Sequence, residues 1–214
     1  MQSRRLTPLD RMLAGASKAL RTVATPTGRS ARHSPADTID DCALNVEQKA
    51  HAAGLMRVNH AGEIAAQGLY QGHASVARDP DIEARMQRAA MEEFDHLAWC
   101  EQRLDELGAG RSCLGPIWYA GAFTIGAISG VFGDRWSLGF IAATERQVCD
   151  HLTSHLDRLP TEDRKSRAVV EKMRDEEQAH GENAVDAGAA ELPTPVKRLM
   201  QLTAKVMTNT AYWV

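Results

Sequence analysis

Apolar and small residues recur along most of this 214-residue chain at helical spacing rather than in the alternation of strands, and turn residues cut the pattern into pieces. Asn45-Val46-Glu47-Gln48 predicts a helix start, with Asn45 as cap and Gln48 reaching back to it; the pattern then runs to about Arg78. Asp79-Pro80 restarts a helix, the aspartate capping and the proline taking the first helical position, and Gly108 stops it. A further break at Leu159-Pro160-Thr161 opens a helix that ends near Gly188. Between these hairpins, Ser112 to Gly133 carries no charge, and neither does Trp136 to Thr144. Near the C-terminus Val196, Leu199, Met200, Leu202, Val206 and Met207 fall largely on one side of a helix, while Lys197, Arg198 and Lys205 reach a polar surface. The pattern predicts an all-α fold: a four-helix bundle of two hairpins, an apolar connecting helix and a C-terminal amphipathic helix.

The polar positions inside this pattern repeat. Glu63, Glu93 and His96 are followed by Glu145, Glu177 and His180, offset by 82 for the lone glutamates and by 84 for both members of each Glu-x-x-His. The midpoint of Glu63 and Glu93 is Arg78 and that of Glu145 and Glu177 is Thr161, so both fall at turns marked by other residues. Residues equidistant from an antiparallel turn lie at one height, roughly 22 Å along each helix at 1.5 Å per residue. Members of each Glu-x-x-His share a helix face and can grip one ion. Two hairpins that each supply one glutamate and one Glu-x-x-His are what a two-metal site in a bundle requires. Carboxylates with a minority of imidazoles suit iron or manganese, where structural zinc favours thiolates. Surface charge on solvated faces is the alternative, but it has no reason to repeat in register with two turns. Glu92 and Glu176, about 100° of helix away from their neighbours, are expected outside the ligand set.

Charge and cysteine content narrow the class further. A net charge of −3 gives no global attraction to nucleic acid. Cys42, Cys100, Cys113 and Cys149 form neither a Cys-x-x-Cys nor a disulfide framework, which points to a reducing compartment; Cys100 and Cys149 are expected to pack near the site. Residues 1–36 set many Arg and Lys against Asp10 alone, and Thr7-Pro8-Leu9-Asp10 starts a helix continued by Met12, Leu13, Ala16 and Leu20. Residues 1–44 are therefore expected to be a basic helix plus a flexible linker from Thr25 to Thr38, and residues 45–214 the bundle domain. A single crossing of a membrane by Leu114 to Gly133 would part the two halves of the metal site. The segment at about 112–136 is thus expected to lie on a membrane without crossing it, or else to be a buried fifth helix.

The stretches Asn59-His60-Ala61-Gly62-Glu63, Glu92-Glu93-Phe94-Asp95-His96, Ala143-Thr144-Glu145 and Arg174-Asp175-Glu176-Glu177-Gln178-Ala179-His180 resemble the ligand motifs of the demethoxyubiquinone hydroxylase family, and the likeness extends from about residue 50 to the C-terminus. The resemblance implies a ferritin-like bundle and a membrane-associated di-iron monooxygenase that uses O2 to hydroxylate a polyprenyl demethoxyubiquinol. It implies two Fe ions per subunit, one held by Glu63, Glu93 and His96 and the other by Glu145, Glu177 and His180, with Glu93 and Glu177 as bridges. Other ubiquinone-biosynthesis proteins are the partners it suggests. A polyprenyl tail would need room, and small residues around Gly121 to Gly133 are expected to leave it. The expected location is the cytoplasmic face of a bacterial cell membrane, with the matrix side of the mitochondrial inner membrane as the alternative.

Further candidates lie near this set. Tyr70, two helical turns after Glu63, could deliver an electron or bond to substrate, or be a core tyrosine with a satisfied hydroxyl. The family places a histidine at His151 on the substrate side, but Leu152 stands where some members have tyrosine. His155 is expected at the surface, and His60 in packing or behind the ligands. No nucleotide-binding signature appears, so no bound flavin is expected. An iron-storage protein, a radical-generating reductase subunit and a non-catalytic membrane scaffold remain the other classes.

Overall fold

A computed structural model of the chain describes residues 30–214 together with Ser17, Ala19, Leu20, Thr22 and Val23. From Val46 onward six helices follow in order: α1 (Val46–Val76), α2 (Pro80–Glu106), α3 (Gly115–Val131), α4 (Asp134–Arg158), α5 (Arg164–Asp186) and α6 (Thr194–Ala211), and the described residues contain no strand. The expected basic helix from Thr7 lies largely outside the described residues, although Ala19 and Val23 pack against Ile64, Leu97 and Tyr119.

The helix ends form where the local chemistry asks for them. Asn45 Oδ1 accepts from Gln48 N at 2.8 Å while Gln48 Oε1 accepts from Asn45 N at 3.0 Å, closing the capping box of α1. Asp79 caps α2 with Pro80 behind it. Gly108 after α2 and Gly188 after α5 hold φ of 66° and 95°, values that favour glycine and let the chain leave the helix. The last hairpin turn is longer than expected: α5 starts at Arg164, because Asp163 accepts from Ser166 N and caps it.

Hairpins α1–α2 and α4–α5 make the four-helix bundle, and its core is two apolar clusters with a gap between them. At one end Leu55, Met56, Trp99, Leu104, Leu152 and Met173 interlock. At the other are Tyr70, Met86, Leu138, Ile141 and Ala184. On every helix the repeated Glu and His positions fall between the two clusters, so apolar packing above and below fixes a polar layer at mid-height.

α3 lies along α1 at backbone contact. A Cβ on Gly72 would stand 2.3 Å from the Phe123 carbonyl oxygen, and one on Gly126 would stand 2.4 Å from that of Leu69. This corrects the expectation that small residues here leave room for a tail: at Gly126 and Gly130 the space is filled by α1, and only Gly121 and Gly133 face open space. Nor is α3 a buried fifth helix, since Ile117, Ile128, Val131 and Phe132 are exposed on its outer side. α6 is tied at its ends, through Tyr212 Oη to His51 Nδ1 at 2.7 Å and through Ala190 N to Arg135 O just before it. Between these ties Leu199, Leu202 and Val206 are exposed. Among the described residues no helix is long and apolar enough to cross a membrane.

Candidate metal centre

Four helices deliver six side chains to the polar layer: Glu63 from α1, Glu93 and His96 from α2, Glu145 from α4, Glu177 and His180 from α5. All six are buried. They form two overlapping groups, Glu63, Glu93, His96 and Glu177 in one and Glu93, Glu145, Glu177 and His180 in the other; within each, ligand atoms lie within 4.8 Å of one another. Glu93 and Glu177 belong to both. Glu93 Oε2 is 3.1 Å from His96 Nδ1 and its Oε1 is 3.1 Å from His180 Nδ1. Glu177 mirrors this, with Oε1 3.0 Å from His96 Nδ1 and Oε2 3.1 Å from His180 Nδ1.

Each imidazole turns Nδ1 inward because Nε2 is held from behind by the other hairpin. His96 Nε2 meets Glu176 Oε2 at 2.7 Å, and His180 Nε2 meets Glu92 Oε2 at 2.6 Å. Outer carboxylates of this kind fix the tautomer and orientation of a metal-binding histidine. Sequence reasoning left Glu92 and Glu176 outside the ligand set, where the structure also places them, but missed this role. The signal was present: they share the offset of 84 found for the Glu-x-x-His pairs.

Buried carboxylates crowd this layer and shift one another's protonation. Burial, then the charges of Glu93 and Glu177, push the Glu63 carboxyl well above its usual range; burial, then Glu177 and Glu93, do the same to Glu145. Burial opposes charge on the imidazoles, but hydrogen bonds to Glu176, Glu177 and Glu93 outweigh it and raise His96 well above its usual value. Burial is likewise outweighed at His180, which carboxylates Glu177 and Glu93 push up to about 12. Glu93 is held low despite burial by hydrogen bonds from His180 and His96. Glu93 Oε1 has no hydrogen bond of good geometry despite complete burial. Inward-facing oxygens and imidazole nitrogens around unpaired lone pairs fit divalent metal ions.

Metal binding therefore displaces protons. Glu63, Glu145, His96 and His180 each have a raised pKa, which favours holding a proton that coordination must displace. We expect protons to be released on loading, and affinity that weakens as pH falls. Calorimetric titration of the metal-free protein in buffers of different ionisation enthalpy measures the count; uptake with no proton release would contradict it.

The remaining candidates separate. Tyr70 Oη donates to Glu145 Oε1 at 2.7 Å, so its hydroxyl is satisfied by a residue of the cage. It also lines a cleft of about 190 Å³ with Met86, Glu92, Leu138, Ile141 and His180, which reaches the cage from outside. His151 lies apart, in a cavity of about 530 Å³ beneath α6 with Val58, His155 and Tyr212. His155 corrects the sequence expectation of a surface residue: it is 1% exposed, with its ring 3.9 Å from that of His151. Burial, then the nearby charge of Arg158, pushes His151 down to about 4. His60 is buried with neither ring nitrogen partnered, and packs without reaching the cage groups. Cys100 packs with its Sγ 3.6 Å from Met173 Sδ. Cys149 Sγ is 3.6 Å from Arg174 O.

The fold and the layer define a class, the ferritin-like helix bundle with a buried carboxylate–imidazole cage able to hold metal. The family model described as ubiquinone biosynthesis protein COQ7 matches residues 50–211, and the chain belongs to that family. It is 56% identical over 205 residues to the 3-demethoxyubiquinol 3-hydroxylase of Azoarcus sp. (strain BH72), covering 96% of this chain and 99% of that protein. It is 50% identical over 214 residues to the protein of the same name from Nitrosococcus oceani, covering 100% of both. The like-named protein of Cupriavidus metallidurans is 53% identical over 206 residues, covering 95% of this chain and 99% of its own.

Proposed function

We propose that this protein is a 3-demethoxyubiquinol 3-hydroxylase, an O2-dependent di-iron monooxygenase of ubiquinone biosynthesis. The observation that carries the reading is the pair of overlapping cages, in a family whose relatives bear that name. Glu63 and His96 would hold one iron, Glu145 and His180 the other, and Glu93 and Glu177 would bridge them. Ferrous iron held there would supply electrons and open coordination positions for O2. The chain's own residues do the rest. Glu176 and Glu92 keep the imidazoles aimed inward, Tyr70 pins one Glu145 oxygen, and apolar clusters pack above and below the layer. One oxygen atom enters the quinol ring and the other leaves as water, with electrons drawn from the quinol or a separate donor. The test is anaerobic loading with ferrous iron, then addition of O2 and a demethoxyquinol. Hydroxylated product is expected; oxygen consumption without it would point to iron storage instead.

The same reading places the protein on a lipid surface as a peripheral protein, at the cytoplasmic face of a bacterial cell membrane. Exposed Ile117 and Ile128 on α3, Phe132 just after it, and Leu199, Leu202 and Val206 on α6 support this, as do the free thiols of all four cysteines. A polyprenyl quinol partitions into bilayers, so an enzyme acting on it gains from meeting one. Replacing Leu199, Leu202 and Val206 together with serine is expected to lower vesicle binding at least tenfold, the loss from withdrawing even one such side chain at about 1.5 kcal/mol. It should leave turnover of a short-chain soluble quinol intact. Unchanged co-sedimentation with vesicles would remove α6 from the lipid-facing surface.

A further inference from the structure

The two halves of the cage repeat in sequence, but what stands behind them differs. Glu176, which holds His96, is itself gripped by two cations: Arg32 Nη1 at 2.7 Å and Lys172 Nζ at 2.9 Å. Its side chain is 18% exposed. Glu92, which holds His180, is 52% exposed and has no ion pair other than that histidine among the described residues. Arg32 comes from the stretch expected to be a flexible linker, and the described part of that stretch is tied down from Ser30 onward. Asp95 Oδ1 accepts from Ser30 Oγ at 2.6 Å and from Ala31 N at 2.9 Å, while Asp95 Oδ2 accepts from Arg32 Nε at 2.6 Å. The guanidinium lies 4.7 Å above the Trp99 ring, which in turn lies 5.4 Å from the His96 ring. One planar fork thus joins both carboxylates and covers the aromatic wall of the His96 half.

We propose that Arg32 is a positioning residue of the metal centre, which acts through Glu176 on His96 and makes the two iron sites unequal. Arg32 stands before residue 50, where the family match begins. The physical reason is the donor strength of imidazole. A carboxylate behind Nε2–H pulls on that proton and makes Nδ1 a stronger donor; one whose charge is shared with Arg32 and Lys172 pulls less, but holds the ring in a narrower range of orientations. Glu92, facing water, pulls more freely and holds less firmly. The iron at His96 is therefore the rigidly placed and more electron-poor of the two.

The inference rests on the six residues being iron ligands, and the test separates the two claims. Full-length protein, stripped of metal, is titrated anaerobically with ferrous iron against a competing chelator, and Mössbauer spectra are recorded at full loading. Wild type is expected to bind two ferrous ions and to show two unequal doublets. Arg32→Ala should weaken one of the two binding steps about tenfold, the lower end for loss of an outer partner, and shift only one doublet. Arg32→Met, which keeps an aliphatic stem over Trp99, should do the same, so a folding defect in one variant does not end the test. Glu176→Gln should affect the same step, and Arg32→Ala added to it should cost nothing more. Arg32→Lys should recover part of the loss. Ser30→Ala, which loosens the segment but leaves both Arg32 pairs, should behave as wild type. Unchanged binding and spectra in Arg32→Ala and Arg32→Met, or losses that add in the double variant, would overturn the role of Arg32 with the ligand assignment intact. Failure of wild type to bind ferrous iron would overturn the assignment, and this inference with it.

Discussion

Glu93→Gln is expected to abolish hydroxylation, with a loss greater than the roughly 10- to 100-fold caused by removing an outer partner, because Glu93 belongs to both halves of the cage. Its two oxygens lie 3.1 Å from His96 Nδ1 and 3.1 Å from His180 Nδ1. Glutamine keeps the shape but offers one neutral oxygen and an NH2 that cannot coordinate. Iron content should fall at both sites rather than one. The metal-free protein should also lose stability. Glu93 is the carboxylate whose pKa the two imidazoles hold low, so its charge is balanced in the fold; without it two buried imidazoliums lose a partner. Glu63→Gln is the contrast. The Glu63 pKa is raised by burial and by its neighbours, so its charge is opposed by the fold, and its neutralisation should leave the metal-free melting temperature equal or higher. Iron analysis and thermal melts of both variants check this; equal iron content in Glu93→Gln would rule out the bridging role.

Gly72→Val should cost about 3 kcal/mol of stability, the upper end for overpacking. That corresponds to roughly 6 to 12 °C in melting temperature for a domain of this size. The new Cβ would meet Phe123 O at 2.3 Å and Ala127 N at 2.9 Å, both backbone atoms of α3 that no rotamer change can move. α3 must lift off α1, the helix that carries Glu63. Gly121→Ala serves as control, for nothing lies within 4 Å of its Cβ position. The alanine should add up to about 1 kcal/mol through helix propensity. A neutral Gly72→Val in thermal melts would show that the α1–α3 contact is looser than the backbone distances require.

Much of this was legible in the chain because the relevant chemistry is local. Asn45, Asp79 and Gly108 mark helix ends through groups within three residues, and the 84-residue repeat met the turns at equal distances, so the six cage residues could be placed at one height. What needed the fold were contacts between distant segments. The pattern could not tell that Glu92 and Glu176 cross to the opposite hairpin's histidine, since partners 88 and 80 residues apart leave no spacing rule. Nor did it tell that glycines of α3 accept a helix rather than a lipid tail, or that His155 points inward. Arg32 looked like one basic residue among many in a polar linker; only Asp95 and Glu176 together single it out.

The crossed ties Glu92–His180 and Glu176–His96 act as two pins through α2 and α5. A slip of one helix past the other by a turn, about 5.4 Å, would pull both pins at once, so the hairpins have one alignment. Register between the hairpins is thereby set at the level of the cage itself, by carboxylates that stand behind the imidazoles.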